Sequence, residues 1–152
     1  MAKIFKATPF KAWLDSLTRV LVKTRDDWTC QYDDCEGRVQ GVEWHHVRYR
    51  TLNHLRWDLI NGISLCGACH RAWHNGAKIQ VWFGEKYPDR LNHIYTKARH
   101  IGSWKEDDFL AVEKYLLEKC IDLEVDPYNV SNKAHRNRLI KKLERIKNED
   151  RK

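Results

Sequence analysis

Two cysteine pairs constrain this chain more than any other feature. Cys30 and Cys35 are separated by four residues, and Cys66 and Cys69 by two. Four thiolates complete a tetrahedral shell for structural zinc. Any fold must then bring residues 30–35 against residues 66–69. A chain with little strand gains from such a staple. The opening segment MAKIFKATPFKAW has neither the apolar stretch nor the cleavage site of a secretory leader. The expected location is therefore the cytoplasm, where thiols stay reduced and close cysteine pairs point to metal rather than disulfides. No segment approaches the ~20 apolar residues of a spanning helix, so no membrane partner is expected. Cys120 stands apart and reads as a buried helix residue.

The second pair lies in SLCGACHRAWHNG, residues 64–76. Taken alone, CGACH fits covalent haem attachment, half a zinc site, or the start of a metal-binding helix. The haem reading requires export, which nothing in the chain supports. The histidines favour the last two together. His70 and His74 are four apart in a predicted helix, so they share a face and can clamp a metal. His45 and His46 are adjacent in a predicted strand, so their imidazoles point to opposite sides. One can bind metal while the other does something else. His45, His70 and His74 together could hold an ion with open positions, as a catalytic metal requires. His54, His93, His100 and His135 show no such pattern.

The remaining pattern is mostly helical. Phe10, Trp13, Leu14, Leu17, Val20 and Leu21 place an amphipathic helix over 10–24, with Pro9 in its first turn. Residues 28–46 read as a loop and then a short hairpin turning at Gly41. Residues 47–62 read as a long basic loop. ISLC is extended, and GACHRAWH opens a helix that Gly76 ends. Two further helices are expected over 84–99 and 105–120, the second with acidic residues in its first turn. A basic helix over about 132–147 carries Leu139, Ile140, Leu143 and Ile146 on one stripe. The fold class is α+β, mainly helical. Four segments follow: an N-terminal helix packing on the core (1–27), the metal-rich core (28–76), a helical extension (77–121) and a basic C-terminal helix or tail (122–152).

The formal net charge is +7. Nine Lys/Arg against three Asp/Glu lie between Lys133 and Lys152, so most of the excess sits there. A charge run is often only a solvated helix face, but the sign bias points to nucleic acid. Arg48, Arg50, Arg56 and Tyr49 are candidate phosphate contacts, with Lys141, Lys142 and Arg145 behind them. Arg56 next to Trp57 fits a cation–π pair equally well. Trp44 and Trp73 flank the histidine pairs and are expected to wall the site.

WHHV, Asn61 in LINGISLC, and CGACHRAWH together resemble the motif of the HNH (ββα-metal, His-Me finger) endonucleases, in their zinc-stapled subgroup. Asn61 follows His46 by fifteen residues and His70 follows Asn61 by nine, intervals that fit that family. The four-residue gap between Cys30 and Cys35 is wider than the family's common two. A wider similarity, over about residues 15–120, is to the phage NinG/Rap recombination nucleases. It rests on RVLVKTRDDWTC, LRWDLINGISLCGACH, FGEKYPDRLNHIYTKAR and SWKEDDFLAVEKYLLEK.

The resemblance implies a ββα-metal core with a zinc knuckle and flanking helices, and hydrolysis of DNA phosphodiesters. It implies His46 as general base, His45 and His70 as metal ligands with His74 a third, and Asn61 orienting His46 or its loop. It also implies a catalytic divalent ion beside the structural zinc. That ion is Mg or Mn, with Zn or Ni suited to imidazole ligands. Phage origin, action in the host cytoplasm and branched DNA substrates follow from the NinG/Rap likeness. Symmetric cutting would call for a homodimer. The competing expectations are a zinc-stabilised DNA-binding protein without catalysis, and an HNH nicking enzyme of homing or packaging type.

Overall fold

A computed structural model describes residues 4–36, 41–100 and 102–152. In chain order the elements are α1 (Ala7–Arg25), β1 (Val42–His46), α2 (Asn53–Arg56), β2 (Gly62–Cys66), α3 (Gly67–Asn75), α4 (Lys78–Lys86), α5 (Pro88–Ala98), α6 (Glu106–Asp122) and α7 (Lys133–Glu149). Single 3₁₀ turns cover Leu59–Asn61 and Pro127–Asn129. The protein is α+β and mainly helical, as its periodicity predicts. Two compact units divide the chain: residues 22–103, and residues 1–21 with 104–152. The expected extension over 77–121 thus contributes α4 and α5 to one unit and α6 to the other. No helix among the described residues is long and apolar enough to cross a membrane.

In the unit of residues 22–103, β1 and β2 form an antiparallel pair in which His45 faces Ile63 and Val42 faces Cys66. β1 therefore finds its partner some twenty residues downstream. The piece expected to pair with it across Gly41 falls on residues 37–40, outside the described residues. The segment 47–62, read from sequence as a loop, carries the one-turn helix α2 and a 3₁₀ turn. Asp58 starts that turn by accepting the Ile60 N–H, and such short turns leave too little periodicity to detect. The single helix expected over 84–99 is two, broken at Tyr87 because Pro88 opens α5 and cannot continue α4.

Val42, Val47, Leu55, Ile63, Leu65, Trp73, Ile79, Phe83 and Ile94 make the core of this unit. Every residue of β2 is buried, Ser64 included, so it shows no alternation of apolar and polar side chains. Gly62 begins β2 where no side chain fits. A Cβ there would stand 2.7 Å from Val22 Cγ2 and 3.0 Å from Trp44 Nε1.

In the other unit, Trp13, Leu14 and Leu17 are fully buried, as are Leu116 and Leu139. Leu143 is buried as well, while Ile140 and Ile146 are half-buried. Asn132 caps α7 by accepting the His135 N–H. Glu113 is a buried carboxylate held by three donors: Trp13 Nε1 at 2.6 Å, Lys142 Nζ at 2.8 Å and Arg138 at 3.1 Å. Lys142 is therefore matched by a carboxylate inside its own unit. Burial pushes the Cys120 thiol up to about 12, which leaves it a packing residue without thiolate chemistry.

Candidate metal centres and catalytic site

The sulfurs of Cys30, Cys35, Cys66 and Cys69 all lie within 4.8 Å of one another. None forms a disulfide, and the Cys35 and Cys66 Sγ atoms are 3.7 Å apart. Cys66 ends β2 and caps α3, its sulfur accepting the Cys69 N–H at 3.5 Å. Burial raises the Cys30 and Cys69 thiols. Cys66 is held below the ordinary thiol value, because hydrogen bonds from the Cys69 N–H and the neighbouring thiols outweigh burial. Four sulfurs this close cannot all ionise without a cation among them, whereas a divalent ion takes them as thiolates. The cluster fits structural zinc, as the cysteine spacing predicts.

A second cluster is drawn from β1 and α3. One ring nitrogen from each of His45, His70 and His74 falls within the same 4.8 Å limit. His45 is buried, His70 half-buried and His74 exposed, so the group opens to solvent on one side. The His45 ring centroid is 4.6 Å from that of His70 and 5.3 Å from that of His74. Its Nε2 is buried without a hydrogen-bond partner. Such an atom costs stability unless something binds it. Burial first, then His70, His74 and His46, push His45 down to about 3. It therefore stays neutral at every pH of interest, as a metal ligand must.

Glu43 was not singled out by its sequence. It lies two residues before His45 on the same side of β1, and its Oε2 is 2.5 Å from His70 Nδ1. A carboxylate accepts, so Nδ1 carries the proton and Nε2 keeps a lone pair that a metal could take. Carboxylates behind metal-bound imidazoles fix the ring and raise its basicity. The signal available was the Glu-x-His alternation itself. Glu43→Gln is expected to weaken binding of a divalent ion at the histidine cluster by about tenfold or more. Titration with Co or Ni, followed by absorbance, would measure it, and unchanged affinity would remove Glu43 from this role.

His46 lies on the opposite face of β1. Its Nε2 is 2.9 Å from the Arg56 carbonyl oxygen, which can only accept. Nε2 therefore carries the proton and Nδ1 the lone pair. The Trp44 ring, on the same face, lies 4.2 Å from the imidazole. Trp73 packs at 4.8 Å from His45. The two tryptophans thus lie against the two histidines.

Asn61 is fully buried. It accepts the Arg48 N–H at 3.0 Å and donates Nδ2 to the carbonyls of Arg48 at 2.7 Å and Leu55 at 3.1 Å. Its amide ties together the backbone on both sides of residues 48–55. Arg56 lies 5.5 Å from the Trp57 ring, a cation–π geometry. Arg48 approaches Tyr95 at 5.9 Å, and Arg50 and Tyr49 are exposed. Lys141 and Arg145 are exposed on α7, where Arg145 pairs with Glu149 at 3.0 Å.

Charged residues that no motif pointed to hold the Asn61 segment from outside. Arg25 donates to the carbonyls of Leu59 at 2.6 Å and Gly62 at 2.7 Å. Arg90 donates to those of Ile60 at 3.0 Å and Gly62 at 2.8 Å. Burial, then Arg25, lowers Arg90 to about 10, still charged at neutral pH. Asp58 accepts from Lys97 at 2.7 Å and His93 at 2.8 Å. Burial would raise its carboxyl, but the Lys97 and His93 hydrogen bonds outweigh that and hold it below the ordinary value. Its contribution is present above about pH 3.9 and is lost as pH falls through the lower folded value. Asp58→Asn is therefore expected to cost about 1–3 kcal/mol at neutral pH. Urea unfolding would show this, and an unchanged midpoint would mean the cluster does not hold the loop.

Comparison with known proteins finds no family model, no characterised relative and no solved structure that matches the chain.

Proposed function

We propose that the protein is a metal-dependent DNA endonuclease of the HNH type, its site built on β1, β2 and α3 as a ββα-metal core. The observation that carries this reading is the division of labour across β1. His45 joins His70 and His74 on one face, and His46 is oriented by a backbone carbonyl on the other. A purely structural zinc protein has no use for this second constellation.

His45, His70 and His74 would hold the divalent ion. Such an ion supplies Lewis-acid stabilisation of phosphate charge and of the leaving oxygen when bound. His46 Nδ1 takes the proton of the attacking water as its oxygen bonds to phosphorus. The bond from phosphorus to the 3′-oxygen breaks with its electron pair, and that oxygen takes a proton from solvent water, leaving a 5′-phosphate and a 3′-hydroxyl. Asn61 keeps the Arg48–Leu55 segment in place, and with it Arg56, whose carbonyl orients His46. Arg48 and Arg50 supply positive charge beside this segment, with Lys141 and Arg145 as further phosphate contacts. Branched recombination intermediates are the proposed substrates, in the setting of a phage genome.

The test is cleavage of linear, flap, fork and four-way DNA with Mg or Mn, by the parent chain and by His46→Ala. Cleavage by the parent alone supports the reading, and a preference for branched forms supports the substrate class. One zinc per chain with no cleavage under Mg, Mn or Ni would instead establish a DNA-binding zinc protein.

A further inference from the structure

Tyr49 has an unusual backbone for its position. Its φ is +52°, and Asp27, Trp28 and Glu124 are the other described non-glycine residues with positive φ. Those three follow helix C-termini. There, Trp28 N–H returns to the Lys23 carbonyl and Val125 N–H to the Cys120 carbonyl, and a left-handed residue is how such helices close. Tyr49 follows a strand, where no helix end calls for this conformation. It is held by its neighbours. Asn61 fixes both the N–H and the carbonyl of Arg48, and the Tyr49 carbonyl accepts the Leu52 N–H at 3.0 Å. A large β-carbon residue kept in a strained conformation with 46% of its surface exposed is not there to fill a core.

Tyr95 on α5 is also exposed, at 38%, and the Arg48 guanidinium lies 5.9 Å from its ring. Arg48 Nε has no hydrogen-bond partner. Among the described residues no carboxylate is paired with it. Tyr95 thus carries a guanidinium against its accessible ring, and Tyr49, the residue after Arg48, presents a second accessible ring. The group begins two residues beyond His46.

We propose that Tyr49, Arg48 and Tyr95 form a stacking site for an unpaired nucleobase beside the scissile phosphate. The inference rests on the nuclease reading for its location. Exposed aromatic rings with an adjacent arginine bind unstacked bases in a sequence-tolerant way, through the π faces and the phosphate. A base inside a fully paired duplex is already stacked on both sides and cannot use such rings. The site would therefore favour DNA with a bulge, a flap or a frayed end over continuous duplex.

Binding of the full chain, without added divalent metal so that no cleavage occurs, tests this by fluorescence anisotropy. The probes are a labelled duplex with an internal bulge and the fully paired duplex of the same sequence. The parent is expected to bind the bulged probe about tenfold more tightly. Tyr95→Ala and Tyr49→Ala are each expected to lose most of that preference. Tyr95→Phe and Tyr49→Phe should keep it, since the ring and not the hydroxyl stacks. Tyr49→Leu, which retains bulk without a π face, decides the case if the alanine variant fails to fold.

Equal binding of the two probes by the parent overturns the proposal. So do alanine and leucine variants that keep the preference, or variants that lose affinity for both probes alike. A parent that cuts DNA but shows no preference overturns the stacking site alone. One that shows the preference but cuts no DNA overturns the nuclease reading alone.

Discussion

His46→Ala is expected to cleave DNA ~10²–10⁴-fold more slowly than the parent, the range one general base contributes. The expectation rests on the Nε2 contact to the Arg56 carbonyl at 2.9 Å, which leaves Nδ1 as the basic nitrogen. Loss of the imidazole removes the proposed proton acceptor and leaves the cluster of His45, His70 and His74, which His45 joins from the other face of β1. The variant should therefore bind the same number of metal ions as the parent and unfold at nearly the same temperature. Measured together, these separate a catalytic role from a structural one. If cleavage persists at the parent rate, His46 is not the base. If cleavage and metal content fall together, His46 acts through the ligands.

Removing the ion at the four cysteines is expected to have the largest effect on stability. Structural zinc contributes roughly 10–16 kcal/mol in small zinc-stapled peptides at neutral pH, as much as or more than the whole stability of a typical domain. Its loss should unfold residues 22–103, seen as a fall in far-UV circular dichroism and a red shift of tryptophan emission. Cys66→Ser should purify with one zinc fewer and show the same unfolding. His74→Ala should lose only the second, weaker ion and remain folded, which separates the two clusters. A metal-stripped chain with an unchanged melting curve would show that the cysteines do not staple the fold.

The metal clusters were legible because their spacing is chemical. Four sulfurs at two short intervals, and histidines at helix and strand periods, admit few arrangements, and the structure brings both sets together. The pairing of β1 was not legible. The hairpin expected at Gly41 looked to residues 37–40, while Gly62–Cys66, which pairs with β1, is buried throughout and has no alternation to match. Segment 47–62 was misread because its order comes from side chains that clamp backbone carbonyls. Arg25 and Arg90 lie on other elements and donate to the carbonyls of Leu59, Ile60 and Gly62, and no local pattern connects them. The break at Tyr87 could have been read from Pro88. Glu43 was overlooked because a lone glutamate in a strand is common, and only its distance to His70 distinguishes it.

Asn61 precedes Gly62, and Asn-Gly is the pair most prone to deamidation in a flexible chain. There the glycine nitrogen reaches the side-chain carbonyl carbon and expels ammonia. In this loop the Gly62 N–H is donated to the Leu59 carbonyl, and the Asn61 amide nitrogen is held between two other carbonyls. Neither group is placed for ring closure. An aspartate formed here would turn a donor into an anion facing the Arg48 and Leu55 oxygens, and the segment that carries the His46 contact would open. The same clamp that shapes the loop therefore also sets its shelf life: the folded protein resists chemical ageing at this bond, and each unfolding event exposes it.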